Sequence, residues 1–410
     1  MVELLTIFSL VLVFISLYFS TIFLLLYFKN KKHIYNEPQV PKKLPRVSVL
    51  TPVFNEEKTI TATLDSIIAL HYPKDLLEVI VINDGSTDGT RAIAERYAQH
   101  YNYIKVLNKT NSGKADSLNR GIKIAKGEFF VVLDADSYIH PEAIYKSIGF
   151  FSDAKVAAVT FPMQPKNTNN ILEKFQHIEY LWGAWMKQLM QYLNLIYVTH
   201  GVGCIFRTSI IKKIGGYDIK NITEDMEIAW RINRDGYKIK NIYTVINTTT
   251  VPNNFKSLFK QRIRWILGAF QNLIKYRYTF LKSQYNQVGT TIYSFVLFNY
   301  IFLFSGLSLL AYSAINQFFS EILSINYIIS SNLPFVFYFD FLVSGLTALT
   351  LGVGLIFLFF LYISFKSLHI NAAKYYKLFL PFIFFFPLFT GVVAITSIYK
   401  LAKGDIRWFK

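Results

Sequence analysis

Residues 129–136 read Phe-Phe-Val-Val-Leu-Asp-Ala-Asp. Five apolar residues in an unbroken run describe a buried strand, and the two aspartates mark where it leaves the core. In extended backbone, residues two apart point the same way, so Asp134 and Asp136 can face one ligand. Hard oxygen donors at a strand's carboxyl end suit Mg²⁺ or Mn²⁺ bridging a diphosphate, although Asp also favours turns for its own sake. The same arrangement recurs on the N-terminal side. Val79-Ile80-Val81-Ile82 leads into Asn83-Asp84-Gly85-Ser86, and the run 47–53, which contains Pro52, leads into Phe54-Asn55-Glu56-Glu57. On the other side lies a fourth run, 157–160. Segments of helical length and polarity separate these runs, which predicts an α/β domain with a largely parallel sheet. Such sheets bind ligands at the carboxyl ends of their strands. Any one of these ends could be an ordinary turn capped by Asp or Ser; three on one edge carry a stronger signal.

Two further clusters carry chemistry. Thr223-Glu224-Asp225 precedes a helix predicted over 226–235, with Ile228, Ala229 and Ile232 at helical spacing. Thr223 reads as its N-cap and the acids as favourable charges in the first turn. A carboxylate fixed there can also point into a cleft as a general base. In Gln261-Arg262-Ile263-Arg264-Trp265, arginine can grip phosphates and tryptophan can stack on a sugar face. A basic aromatic cluster beside a membrane also serves as an interfacial anchor. His177 and His200 lack a matched partner in the sequence and read as structural. The single cysteine, Cys204, excludes an internal disulfide and any multi-cysteine metal site.

The flanks are of another kind. The chain has 410 residues, 52% hydrophobic, with a mean hydropathy of +0.31. Residues 4–28 are almost wholly apolar, long enough to cross a bilayer and longer than a signal-peptide core, so 1–28 reads as a retained anchor. Residues 29–46, basic and broken by Pro38, Pro41 and Pro45, read as a linker. The catalytic domain is expected over 47–250, an amphipathic interfacial segment over 251–287, a membrane region of about three spans over 288–399, and a basic tail over 400–410. The apolar blocks lie near 288–315, 341–365 and 378–398. The formal charge of +17, from 43 Lys+Arg against 26 Asp+Glu, would suit nucleic acid, anionic lipid or a phosphorylated substrate. Lys29, Lys31, Lys32, Lys366, Lys374 and Lys377 sit beside apolar stretches, which points to lipid headgroups and away from nucleic acid. The same bias puts the domain in the cytoplasm. Four spans would leave the basic tail outside, against the bias, unless the block with Pro381 and Pro387 is re-entrant or 316–329 hides another crossing.

Taken together and in this order, these motifs resemble the processive branch of glycosyltransferase family 2, which includes poly-β-1,6-N-acetylglucosamine, hyaluronan, chitin and cellulose synthases. The resemblance covers roughly 47–265. It rests on the opening strand with Asn55-Glu56, on Asp84, Gly113-Lys114-Ala115, Asp134-Ala135-Asp136 and Thr223-Glu224-Asp225, and on Gln261 to Trp265. It implies an A-type glycosyltransferase fold with a mostly parallel sheet plus transmembrane helices. It implies donor binding by Pro52, Asn55, Glu56, Asp84, Lys114 and Asp134, a Mg²⁺ or Mn²⁺ on Asp136 and Asp134, and Asp225 as the base. Glu224, Gln261, Arg264 and Trp265 complete the catalytic set. The loop Gly201-Val202-Gly203-Cys204 would line the acceptor side with Trp265, Cys204 being a small buried filler there. The expected activity is inverting transfer from a nucleotide-diphosphate donor, UDP-N-acetylglucosamine or another UDP-hexose, to a growing polysaccharide at the cytoplasmic face of the plasma membrane. One span ahead of the domain and about three behind it are closest to the poly-N-acetylglucosamine type. So few spans make a small membrane or export subunit an expected partner. Single-sugar transfer to a lipid, as in ceramide glucosyltransferases, is the alternative enzyme reading. An inactive scaffold or sugar-binding export component is a further one, against which the full set of acids argues.

Overall fold

The computed structural model describes residues 2–331 and 345–404. The chain starts as α1 (Val2–Asn30) and reaches β1 (Val47–Val53) through residues 31–46. Helix and strand then alternate through α2 (Ile60–Ile68), β2 (Leu77–Asn83), α3 (Thr90–His100), β3 (Ile104–Asn108), α4 (Lys114–Ile124) and β4 (Phe129–Leu133). Next come β5 (Ser137–Tyr138), α5 (Ala143–Ser147), β6 (Val156–Thr160), β7 (Met163–Pro165) and α6 (Ile171–Met190). The domain finishes with β8 (Val202–Arg207), α7 (Thr208–Lys213), α8 (Glu224–Arg234), β9 (Lys238–Asn241) and β10 (Asn247–Thr249). Four long helices follow: α9 (Phe255–Lys275), α10 (Tyr293–Ser330), α11 (Gly345–Ser367) and α12 (Tyr376–Ala402).

The main sheet has the order β3-β2-β1-β4-β8-β6-β9. Only β8 runs against its neighbours, pairing antiparallel with β4 and β6. Its central strands are buried on both faces, which explains their unbroken apolar sequences. Val47, Val49, Val79, Val81, Val131 and Leu133 join one core with α2. Their neighbours Leu50, Ile80, Ile82, Phe130 and Val132 face the other core, with α4, α8 and α9. That second core continues into Val296, Phe360 and Val393 of the long apolar helices, so domain and helices share one packed interior. A small sheet, β5-β10-β7, flanks the end of β4.

The expected strands at 47–53, 79–83, 129–134 and 157–160 are present to within two residues. The expected loop at 201–204 is instead part of β8 from Val202 onward. Gly203 makes a bulge in this strand. The register with β4 slips between Val132 and Leu133, and Gly203 takes φ +83°, a region that suits glycine.

Among the described residues three helices are long and apolar enough to cross a membrane: Thr6–Asn30, Val288–Ile325 and Tyr376–Ala402. They mark the protein as membrane-associated. α11 is a further apolar helix; residues 341–344 of the block expected there lie outside the described residues. The segment 316–329 continues α10, whose 38 residues at about 1.5 Å each exceed a bilayer core of about 30 Å. Pro381 and Pro387 do not divide their block: α12 runs through both.

Helix α6 seats the domain on these helices. Trp182 meets the Phe357 ring edge-on at 5.0 Å, and Trp185 packs against Phe360 at 5.1 Å. His177 hydrogen-bonds through Nδ1 to the Tyr375 hydroxyl, 2.7 Å, and burial pushes its pKa down to about 4, so it is neutral and structural.

Candidate active site

The ends of β1, β2 and β4 open on one edge of the sheet, and hydrogen bonds between their loops fix the site. Asn55, in the left-handed region at φ 55°, accepts from Thr87 N (2.8 Å) and donates its own N–H to Ser86 Oγ (3.1 Å). Glu56 is anchored likewise, its N–H donating to Thr90 Oγ1 (2.7 Å) and its carboxylate accepting from Thr59 (2.8 Å). Pro52 pairs with Ile82 one step before the edge. Asp84 is almost fully buried, ion-paired with Lys109, and accepts from Ser112 N and Gly113 N at 2.9 Å each. It therefore fixes the turn into α4, whose first residue is Lys114.

Lys114 joins the two halves of the site. Its Nζ lies 2.6 Å from Asp134 Oδ1 and 3.0 Å from Glu224 Oε1. Burial opposes its charge, but Asp134, Glu224 and Asp225 outweigh that and hold its pKa above the usual lysine value. Glu224 shows the converse: burial would raise its pKa, and Lys114 with Arg264 brings it below normal. Asp225 next to it is pushed up to about 6 by burial and by the Glu224 charge. One carboxylate oxygen of Asp225 accepts from Met226 N at 2.8 Å. Two neighbouring acids are thus driven apart, the pattern of a site prepared for acid and base chemistry.

Residues 199–201 tie α8 to β4. Thr199 donates both its N–H and its hydroxyl to the Asp225 carbonyl, at 3.2 and 2.8 Å. The Gly201 carbonyl accepts from Asp134 N at 2.9 Å, and a Cβ on Gly201 would stand 2.3 Å from Asp134 Oδ2. A Cβ on Gly203 would meet the Asn247 amide at 2.5 Å. Cys204 is fully buried, its thiol donating to the Val159 carbonyl at 3.3 Å, and burial raises its pKa.

Asp136 is largely buried and accepts from Ser137 Oγ at 3.2 Å. Burial, then the charges of Asp134 and Glu56, push its pKa up to about 6. Asp134 and Glu56 act on Asp136 electrostatically, and carboxylate oxygens are hard donors of the kind a divalent cation takes, but among the described residues no three acids or histidines stand together as a metal-holding group.

Helix α9 brings the last motif. Arg264 is within electrostatic reach of Glu224 and Asp225. The Arg262 guanidinium lies over the Trp265 ring at 4.1 Å and pairs with Glu179 of α6 at 2.5 Å. Gln261 Oε1 is buried with no hydrogen-bond partner among the described residues.

The chain is similar to known proteins. The model of the family described as Glycosyl transferase family 2 matches residues 48–215. The probable glycosyltransferase YdaM of Bacillus subtilis (strain 168) is 30% identical over 385 residues, 90% of this chain and 87% of that protein. The chain belongs to glycosyltransferase family 2. Within it, the poly-β-1,6-N-acetyl-D-glucosamine synthase of Staphylococcus aureus (strain COL) is 34% identical over 272 residues, covering 66% of this chain and 64% of that synthase. A solved mannosyltransferase from Pyrobaculum calidifontis, in complex with GDP-Man and Mn²⁺, matches in fold with a TM-score of 0.58 at 21% identity, over 86% of this chain and 98% of its own.

Several residues of this glycosyltransferase site had no sequence signal. Lys109 behind Asp84, Glu179 behind Arg262 and Asn247 under Gly203 act across 25, 83 and 45 positions or so of chain, counting in the last case to the Val202 carbonyl that Asn247 caps. Lys187 of α6 is another. Burial pushes its pKa down to about 8, with Asp225 opposing. It lies within electrostatic reach of Cys204 and His200.

Proposed function

We propose that this family 2 enzyme is an inverting, metal-dependent transferase that moves a sugar from a nucleotide-diphosphate donor onto a growing polysaccharide. UDP-N-acetylglucosamine is the preferred donor in this reading, in line with the staphylococcal synthase. One observation carries it: the Lys114 bridge from Asp134 to Glu224, the neighbour of Asp225. In the proposed arrangement Pro52, Asn55, Glu56, Asp84, Lys114 and Asp134 hold the donor. Asp84 does so chiefly through the loop it fixes. Asp136, with Asp134, would hold the Mg²⁺ or Mn²⁺, which when bound supplies charge neutralisation for the leaving diphosphate.

Asp225, with its raised pKa, takes the proton from the acceptor hydroxyl. The hydroxyl oxygen then attacks the anomeric carbon from the face opposite the diphosphate, and single displacement inverts that centre. Lys114 and Arg264 offset the negative charge of donor and leaving group. Trp265 stacks on the acceptor sugar, and Gly201 and Gly203 line its path because a side chain at either would strike Asp134 or Asn247. Residues 1–28 anchor the chain, 29–46 link it to the domain at 47–250, and 251–287 lie at the interface. Residues 288–399 cross the plasma membrane several times, leaving the domain in the cytoplasm.

The test is incubation of the purified chain, in detergent or nanodiscs, with UDP- and GDP-sugars with and without Mn²⁺. Nucleotide release together with product that lengthens with time is expected. One discrete glycolipid would move the acceptor to a lipid, and no release with any donor would overturn the reading.

A further inference from the structure

Beyond Trp265, helix α9 keeps one face against α8 and the loop that leads into it. Residues 268, 271–272 and 275–276 follow 264–265 at steps of three and four, so they continue the face that carries Arg264 and Trp265. Each step meets the segment 218–227. A Cβ on Gly268 would stand 2.1 Å from Thr223 Oγ1, so a larger residue there would push Thr223 aside. Gln271 accepts from Ile222 N at 3.1 Å and donates to the Lys220 carbonyl at 2.9 Å, and Asn272 accepts from Asn221 Nδ2 at 2.9 Å. One turn later Lys275 pairs with Asp218 at 2.7 Å and with Glu227 at 2.5 Å. Glu227 is fully buried, and besides Lys275 it accepts from the Tyr276 hydroxyl at 2.8 Å and from Arg231 Nε and Nη2 at 3.1 and 2.6 Å. Two positions along a helix turn through roughly 200°, so Glu227 leaves α8 on the side opposite to Asp225.

We propose that Glu227 and Lys275 are positioning residues for the transfer reaction: by locking α8 to α9 they hold Asp225 and Arg264, one on each helix, at a fixed separation for the reacting sugar. The role rests on Asp225 as the base. Apolar contacts alone would join the two helices, but they are non-directional. A buried carboxylate that takes four donors from two helices fixes a single register instead. Neither residue touches the reacting atoms in this reading. Their effect on rate comes through placement, and a shift of ~1 Å at a reacting group can cost about a hundredfold.

The test combines calorimetric affinity for UDP-N-acetylglucosamine with the rate of transfer at saturating donor, on the full chain in nanodiscs. Lys275→Met cuts the tie to α8 while Glu227 stays paired with Arg231, so the variant should fold. Its kcat should fall by roughly tenfold or more with donor affinity as in the wild type, because a misplaced base costs the transition state and not the bound donor. Tyr276→Phe, which loses one hydrogen bond, should change in the same direction but less, and Lys275→Arg should restore most of the rate. Asn233→Ala is the control for stability. It removes hydrogen bonds to the Ile196 and Ala229 carbonyls, 2.9 and 2.8 Å, neither of which reaches α9, so it should melt lower yet keep its kcat. Wild-type kcat in Lys275→Met, or an equal loss of kcat in Asn233→Ala, would overturn the positioning role. Absence of transfer by the wild type from this or any other nucleotide sugar would overturn the transfer reading and this role with it. Transfer lost in Asp225→Asn but kept in Lys275→Met would overturn this role alone.

Discussion

Asp225 reaches about pKa 6 because it is buried beside a second carboxylate that has taken the lysine. A base must be unprotonated to act, so turnover should climb as pH rises through about 6 and level off above it. A profile flat from pH 5 to 8 would contradict the base assignment. Asp225→Asn should keep donor affinity, measured by calorimetry, yet lower transfer by about a hundredfold or more. Asp136→Asn should abolish Mn²⁺-dependent turnover. The same change removes a carboxylate disfavoured by burial and by two neighbouring acids, so without metal near pH 7 the variant should melt no lower than the wild type. For Trp265, Ala should shorten the product or raise the acceptor requirement by several-fold, since aromatic stacking of this kind is worth roughly 1 kcal/mol. Phe should retain part of the effect, and product length is the readout.

Among the elements, α6 and α9 matter most, because Glu179 on one fixes Arg262 on the other, and Arg262 holds the Trp265 ring. Glu179→Gln leaves the Arg262 charge buried without its carboxylate, a change that costs on the order of 2 kcal/mol at a partly exposed pair. The expected result is a lower Tm and a product-length defect in the direction of Trp265→Ala but milder. Normal product length at the lower Tm would mean that Trp265 is oriented by other contacts. Strand β8 makes a related point. Its bulge at Gly203 lets one antiparallel strand enter a parallel sheet while Gly201 still meets Asp134.

Across the molecule, domain and membrane helices are joined by more than the chain connection. Residues 29–46 read as a linker, and within it Ile34 is buried among Phe175, Ile178, Tyr243 and Phe365. Its carbonyl accepts from Gln188 at 2.7 Å, and Tyr35 donates to the Ser367 carbonyl at 2.7 Å. Ile34→Asp would put a carboxylate into that cluster, at a cost on the order of 3 kcal/mol. Faster proteolysis within 29–46 and a lower melting temperature in detergent are expected, with Ile34→Val close to wild type. Equal proteolysis of the Asp and Val variants would show that the segment does not depend on this contact.

The sequence by itself determined the α/β class, the central strands, the membrane character and the family, because each is written in local patterns. Double-sided burial makes unbroken apolar runs, helices to cross a membrane need long ones, and the acids sit at strand ends that a parallel sheet brings together. What only the tertiary structure decided depends on residues far apart in the chain. Lys114 between Asp134 and Glu224, Glu179 against Arg262, Lys109 against Asp84 and the docking of Ile34 have no spacing rule. The same holds for the split between Glu224 and Asp225: side by side in sequence they are two equal acids, and only burial with Lys114 on one of them makes one readily ionised and leaves the other near pKa 6.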